Sequence, residues 1–151
     1  MDEALHPRAA VLIEKLGLTA HPEGGAFSEV YRSSATVLPV DGRGERRALT
    51  VIYFLLTAHQ IGAWHRVGSD EVWHYYEGDP LELTWIDGEA NEIRTHILGP
   101  VGDGQRPVAV VPSGSWQTAR PTGVYTLVGC TVGPGFEYED WEALSLGVAS
   151  A

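Results

Sequence analysis

The side chains best placed to do chemistry lie in one stretch, Trp64-His65-Arg66-Val67-Gly68-Ser69-Asp70-Glu71-Val72-Trp73-His74-Tyr75-Tyr76-Glu77-Gly78. His65 is followed six positions on by Glu71, which heads an aromatic strand that Gly78-Asp79-Pro80 closes. An imidazole titrates near about 6.5, so His65 suits general acid or base work at neutral pH, and a neighbouring carboxylate would fix its tautomer. The competing reading of His65 is a core histidine satisfied by a backbone carbonyl. Because successive strand residues alternate faces, Glu71, Trp73 and Tyr75 share one face and Val72, His74 and Tyr76 the other. Ala63, His65 and Val67 share a face on the preceding strand. His65 and Glu71 are therefore the candidate catalytic residues, with Tyr75 on the same inward face.

A second group would complete a binding cup. Gln117 carries both a donor and an acceptor, which suits a ligand carbonyl or hydroxyl. Trp116 beside it is core or pocket wall, and Arg120 would meet an anionic ligand at the rim or else be a solvated turn arginine. Phe27, Glu29 and Tyr31 alternate on one face of an earlier strand and join Trp73 as ligand-binding candidates. His74 joins them only if a bulge reverses its facing. An aromatic cup with a few polar groups is the usual make-up of a small-molecule site.

The elements that must position these residues are mostly strands. One helix is predicted over 8–16, where Ala9, Leu12, Ile13 and Leu16 recur at helical spacing, with Pro7 at its start and Gly17 as its stop. Strands are predicted over 26–33, 48–57 (buried on both faces), 61–67, 72–77, 81–86, 92–98, 108–111 and 124–132, with Asp87-Gly88 as a hairpin turn. Gly42-Arg43-Gly44-Glu45-Arg46-Arg47 reads as a hairpin tip with solvated charges. The tail 133–141, Gly-Pro-Gly-Phe-Glu-Tyr-Glu-Asp-Trp, has two readings: a flap over the pocket mouth, or a plug on an exposed sheet edge. With 18 Gly and 9 Pro in 151 residues, short strands and frequent turns point to one all-β domain, a sandwich or small barrel over about 26–132.

Composition narrows the partners. A formal charge of −10 argues against a phosphate backbone as partner, because nucleic-acid binding relies on a basic face. The lone cysteine, Cys130, excludes an intrachain disulfide and reads as an inert core thiol in a buried strand. Without a signal-peptide core or a long apolar run, the chain is expected to be cytoplasmic and away from membranes. Edge strands and the helix stripe predict a homodimer. Nucleotide-loop, zincin and nucleophile-elbow motifs are absent.

The opening stretch resembles the first cupin motif, G-x5-H-x-H-x3–4-E-x6-G, with His65 at the first histidine, Glu71 at the glutamate and Gly78 at the closing glycine. Pro112-Ser113-Gly114-Ser115-Trp116-Gln117 is similar to the second, P-x-G-x2-H. His21-Pro22-Glu23-Gly24-Gly25, the 27–33 strand, Ile52-Tyr53-Phe54-Leu55-Leu56, the 127–132 strand and Pro134-Gly135-Phe136 are similar to the cupin-5 subgroup, which has no settled general function. The resemblance runs from roughly Leu12 to Trp141 and implies a double-stranded β-helix, the jelly-roll barrel, with one N-terminal helix. It also implies a site of three histidines and one glutamate for a metal. Val67 stands at the second histidine and Gln117 at the third, so no metal is expected; a divalent ion would have only His65, Glu71 and Gln117, and glutamine is a poor ligand for transition metals.

Phe27-x-Glu29-x-Tyr31 is further similar to a strand of the dTDP-sugar 3,5-epimerases, metal-free cupins in which a histidine–carboxylate pair abstracts a proton next to a carbonyl and an aromatic hydroxyl returns one. That likeness implies His65 as base, Glu71 as its partner and Tyr31 or Tyr75 as donor. The reading placed first is a metal-independent isomerase or epimerase-like enzyme on a small polar or sugar-like molecule. Its rivals are a metal-dependent cupin lyase or oxygenase and a binding protein without chemistry.

Overall fold

A computed structural model describes residues 5–22 and 24–144. Its elements, in chain order, are α1 (Pro7–Leu16), β1 (Thr19–Ala20), β2 (Ala26–Arg32), β3 (Thr36–Val37), β4 (Arg46–Arg47), β5 (Thr50–Thr57), β6 (His65–Val67), β7 (Asp70–Gly78), β8 (Leu81–Asp87), β9 (Glu92–Leu98), β10 (Gln105–Arg106), β11 (Val108–Val111), β12 (Gln117–Pro121), β13 (Tyr125–Gly133), a 3-10 turn (Tyr138–Asp140) and β14 (Trp141–Ala143). Two six-stranded sheets, ordered β1-β2-β5-β13-β7-β11 and β10-β9-β8-β12-β6-β14, pack face to face. The fold is the expected all-β jelly roll with one N-terminal helix. Glu23 and both chain ends, which the single-domain expectation included, lie outside the described residues.

Between the sheets lies a core that includes Phe54, Leu56, Trp73, Leu83, Val128 and Cys130. The continuous apolar run of β5 is buried on both faces, as expected: Phe54 and Leu56 enter this core, while Leu55 turns outward beneath the helix. Helix α1 packs Ala9 and Leu12 against Leu55 and Leu127 on the outside of the first sheet. His6 Nδ1 accepts from the Arg8 amide at its start, and Gly17 stops it at φ 64°.

Three segments depart from the sequence reading. The predicted strand 61–67 is paired only at β6, and 117–121 forms a strand, β12, whose Gln117 sits beside both His65 and Trp85. The basic segment 42–47 lies at the β3–β4 hairpin as expected, but two of its charges are not solvated. Arg46 is buried, and its Nε and Nη2 each donate to Asp140 at 2.8 Å, while Arg43 Nη1 reaches the same carboxylate at 3.2 Å. The third departure is the tail, where the two readings turn out to be one object. β14 pairs with the outer edge of β6, and the residues leading into it cross the barrel mouth.

Candidate functional site

A narrow cavity of about 50 Å³, open at its mouth, sits at one end of the barrel. Phe27, Ile52, Phe54 and Trp73 form its apolar wall. The paired register explains this: Phe27 lies opposite Phe54 and Trp73 opposite Cys130, and directly opposed residues in a sheet share a face. His21, His65 and Glu71 supply its ionisable groups other than Cys130 and Tyr138, and Phe136, Tyr138 and Trp141 come from the tail.

His65 opens β6, where it pairs with Gln117 on one side and Ala143 on the other. Its Nδ1 lies 2.9 Å from the Ala63 carbonyl, and a carbonyl only accepts, so Nδ1 carries the proton and Nε2 is the basic atom of the neutral ring. A backbone carbonyl thus fixes a ring that also lines the cavity. The Trp141 ring stacks on it at 6.3 Å between centroids.

Glu71 belongs to a buried relay. Trp73 Nε1 donates to Gln117 Oε1 at 3.1 Å, and Gln117 Nε2 donates to Glu71 Oε1 at 2.8 Å. Gln117 is 1% exposed and does not line the cavity, so it supports the carboxylate from behind. Its oxygen is already engaged by the indole, which leaves a poor metal ligand poorer still. Val67, at the other histidine position, lines the cavity as an apolar group. Among the described residues no three His, Cys, Asp or Glu side chains converge closely enough to hold a metal ion. The donor set therefore does not fit the metal that the cupin pattern implies.

The remaining candidates fall elsewhere. Tyr75 faces inward as expected, but it lies four residues beyond Glu71, roughly 13 Å along the strand. There its hydroxyl donates to the Gly78 carbonyl at 2.6 Å and burial pushes its pKa up. His74 opposes Val108 and Gly129 on the outer face. Glu29 shares the face of Ile52 at the cavity rim, where it pairs with Arg32 at 2.8 Å. A bulge between Glu29 and Tyr31 turns Tyr31 to the opposite face, where it is half exposed. Trp116 lies under the Arg66 guanidinium (4.8 Å), which projects outward between His65 and Val67. Arg120 pairs with Glu82 at 3.1 Å beside a separate open groove outside the barrel. Of the sequence candidates, then, His65, Glu71, Phe27 and Trp73 meet at the cavity.

His21 was missed. It sits on a turn closed by its own amide donating to the Gly25 carbonyl (2.9 Å) and by Gly24 donating to its carbonyl (3.0 Å). Gly25 has φ 83°, and a Cβ there would stand 2.7 Å from the Leu55 carbonyl oxygen, so the turn must be glycine to lie flat on β5. This sets the imidazole edge-on to Phe27 at 4.7 Å and tilted on Phe54 at 5.2 Å. Burial first, and then the charge of His65, lower its pKa to about 4. The available signal was a histidine directly ahead of Pro-x-Gly-Gly.

The tail is clamped from several sides. Arg32 donates to Glu137 (3.0 Å) and to the Phe136 carbonyl (3.1 Å), Thr50 Oγ1 accepts from the Phe136 amide (3.0 Å), and Arg66 donates to Glu142 (2.7 Å). The Arg46 guanidinium holds the Asp140 carboxyl below the usual range.

The sequence matches the family described as Cupin superfamily (DUF985) over residues 10–144. A hypothetical protein from Leishmania major is similar in structure, at 36% identity and TM-score 0.85 over 91% of this chain and 87% of that one. A Shewanella oneidensis protein is 33% identical at TM-score 0.80, over 96% and 86% of the two chains. An oxalate decarboxylase of Lactobacillus farciminis is 12% identical at TM-score 0.59, covering 87% of this chain and 34% of that one, a likeness of fold alone. Comparison with curated proteins finds no match.

Proposed function

The chain belongs to the cupin superfamily family DUF985, and from that premise we propose that it is a metal-independent enzyme that moves a proton beside the carbonyl of a small polar, sugar-like molecule. The observation that carries this reading is the fixed tautomer of His65, whose basic atom is Nε2 on a ring lining the cavity. His65 Nε2 takes the proton from the carbon next to the carbonyl, and the C–H electron pair moves to the carbonyl oxygen as an enolate. The imidazolium then returns the proton to the neighbouring carbon while the adjacent hydroxyl proton passes to the former carbonyl oxygen, giving an isomer; an epimer forms where water protonates the opposite face of the same carbon. Glu71, oriented by Gln117, places a carboxylate in the same cavity.

Substrate class follows from the lining. Among the described residues no Lys or Arg lines the cavity, and the arginines around its mouth face carboxylates. That supports an uncharged ligand held on aromatic faces over a phosphate or a dicarboxylate. The direct test is to incubate EDTA-treated protein in D2O with a panel of aldoses, ketoses and small hydroxyketones, and to read carbon-bound deuterium by mass spectrometry. Wash-in next to a carbonyl is expected, lost in His65→Ala. A wild type that exchanges none of the panel sinks the enzymatic reading, as does an unchanged His65→Ala rate.

A further inference from the structure

We propose that His21 is a second catalytic residue, a neutral imidazole whose N–H donates to the substrate's carbonyl oxygen while His65 removes the neighbouring proton. This rests on the proton transfer proposed for His65. Both rings line one cavity, and they arrive by independent routes: His65 from β6, and His21 from the Gly24-Gly25 turn that lies against β5. As the proton leaves, negative charge gathers on the carbonyl oxygen and positive charge on His65. A donor preset for that oxygen lowers the barrier most when it needs no rearrangement, which the glycine-locked turn supplies.

A protonated His21 would stand beside an imidazolium, and burial adds to the cost of its charge. Phe27 and Phe54, which pack against the His21 ring, offer that charge no solvation. His21 therefore acts as a hydrogen-bond donor and does not trade protons with the carbon. The lowered pKa agrees, keeping the ring neutral across the physiological range. Neither aromatic hydroxyl competes for this place, since Tyr75 is engaged by Gly78 and Tyr31 faces away. No covalent bond to His21 forms; it stabilises the enolate and releases it when the proton returns.

The test uses acetohydroxamate, a small planar probe that mimics an enediolate, with the full chain and EDTA present. Wild type is expected to bind it, with the His21 ring N–H moving downfield in proton–nitrogen spectra of histidine-labelled protein. His21→Phe, which keeps the ring contacts and removes the donor, should weaken binding about tenfold, and His21→Gln, which restores a donor, should recover most of it. Thermal melts of both variants confirm that they are folded. Failure of wild type to bind at high millimolar probe overturns the proposal, and so does equal binding by wild type and His21→Phe. If deuterium wash-in persists in His21→Phe at the wild-type rate, the His21 role falls while the His65 reading stands; if wash-in is absent from wild type, the His65 reading falls.

Discussion

Replacing Gln117 by Leu tests the buried relay that holds Glu71. The substitution nearly preserves volume at a side chain that is 1% exposed, so packing changes little. The indole N–H of Trp73, on a residue also 1% exposed, loses its acceptor at 3.1 Å. Leaving that donor buried and unsatisfied costs about 1–3 kcal/mol, and withdrawing an amide donor from the Glu71 carboxylate costs about 1.5–3 kcal/mol more. The added apolar surface of leucine returns roughly 1 kcal/mol. The net loss is about 1.5–5 kcal/mol. With a urea slope of about 2 kcal/mol per molar, the unfolding midpoint falls by about 0.75–2.5 M. Urea titration followed by tryptophan fluorescence and by far-ultraviolet circular dichroism reads this shift. Trp73→Phe, Gln117→Leu and the double variant form a cycle in which the two losses should fall short of adding by about 1 kcal/mol or more. A midpoint change below about 0.3 M for Gln117→Leu, or losses that simply add, would show that the indole, amide and carboxylate are not linked.

Acid should destabilise the protein through His21. Its folded pKa of about 4 lies below the unfolded value near 6.5, so the stabilisation is complete above 6.5, shrinks as pH falls towards 4 and changes no further below. Water reaches part of the ring, so the loss is held to about 1–2 kcal/mol; midpoints across pH 7 to 4 should slope less in His21→Phe than in wild type, and parallel slopes would contradict the assignment. Gly25→Ala should cost at least about 3 kcal/mol, because its Cβ meets the Leu55 carbonyl at 2.7 Å and the Phe54 ring at 2.8 Å. Gly42→Ala, with φ 82° and nothing within 4 Å, should cost only about 1 kcal/mol, and similar melting temperatures for the two would refute the close-packed turn. Val67→His with Gln117→His should create a zinc site from His65, Glu71 and the two new imidazoles; after EDTA treatment and zinc addition the double variant should hold close to one ion per chain by elemental analysis, and failure to exceed wild type would mean these positions do not converge.

What was legible in the sequence was local. His65, Glu71, Trp73 and Phe27 reach the cavity because alternation along a strand is set by the strand itself, and the motif spacing places the strands. Tyr75 shows the limit of that rule: its face was right, but depth along the barrel removes it from the site. Tyr31 shows another, since one extra residue at Val30 reverses everything beyond it and leaves no mark in the pattern. Trp116 and Arg120 belong to the outer surface, where ion pairing and stacking with distant residues decide their place. His21 arrives from a turn far from His65 in sequence, carried to the shared cavity by the pairing of β2 with β5 and the packing of the two sheets. Arg46 could not be read as buried from its basic neighbours, because its partner Asp140 is 94 residues away.

The tail changes how the acidity of the chain is understood. Its carboxylates are spent on structure: Glu137 on Arg32, Asp140 on Arg43 and Arg46, Glu142 on Arg66. The Arg66–Glu142 pair is solvated and contributes little to stability. The Asp140 cluster is buried, and its two-pronged geometry fixes where the 3-10 turn sits and so where β14 joins β6. With the charges turned outward onto arginines, Phe136, Tyr138 and Trp141 are the faces presented to the cavity. A ligand entering there meets rings before it meets His65, and Trp141 lies stacked on that histidine. On the function proposed above, selection at the mouth is by shape and by fit against aromatic surface, with polar discrimination left to His21, His65 and Glu71 within.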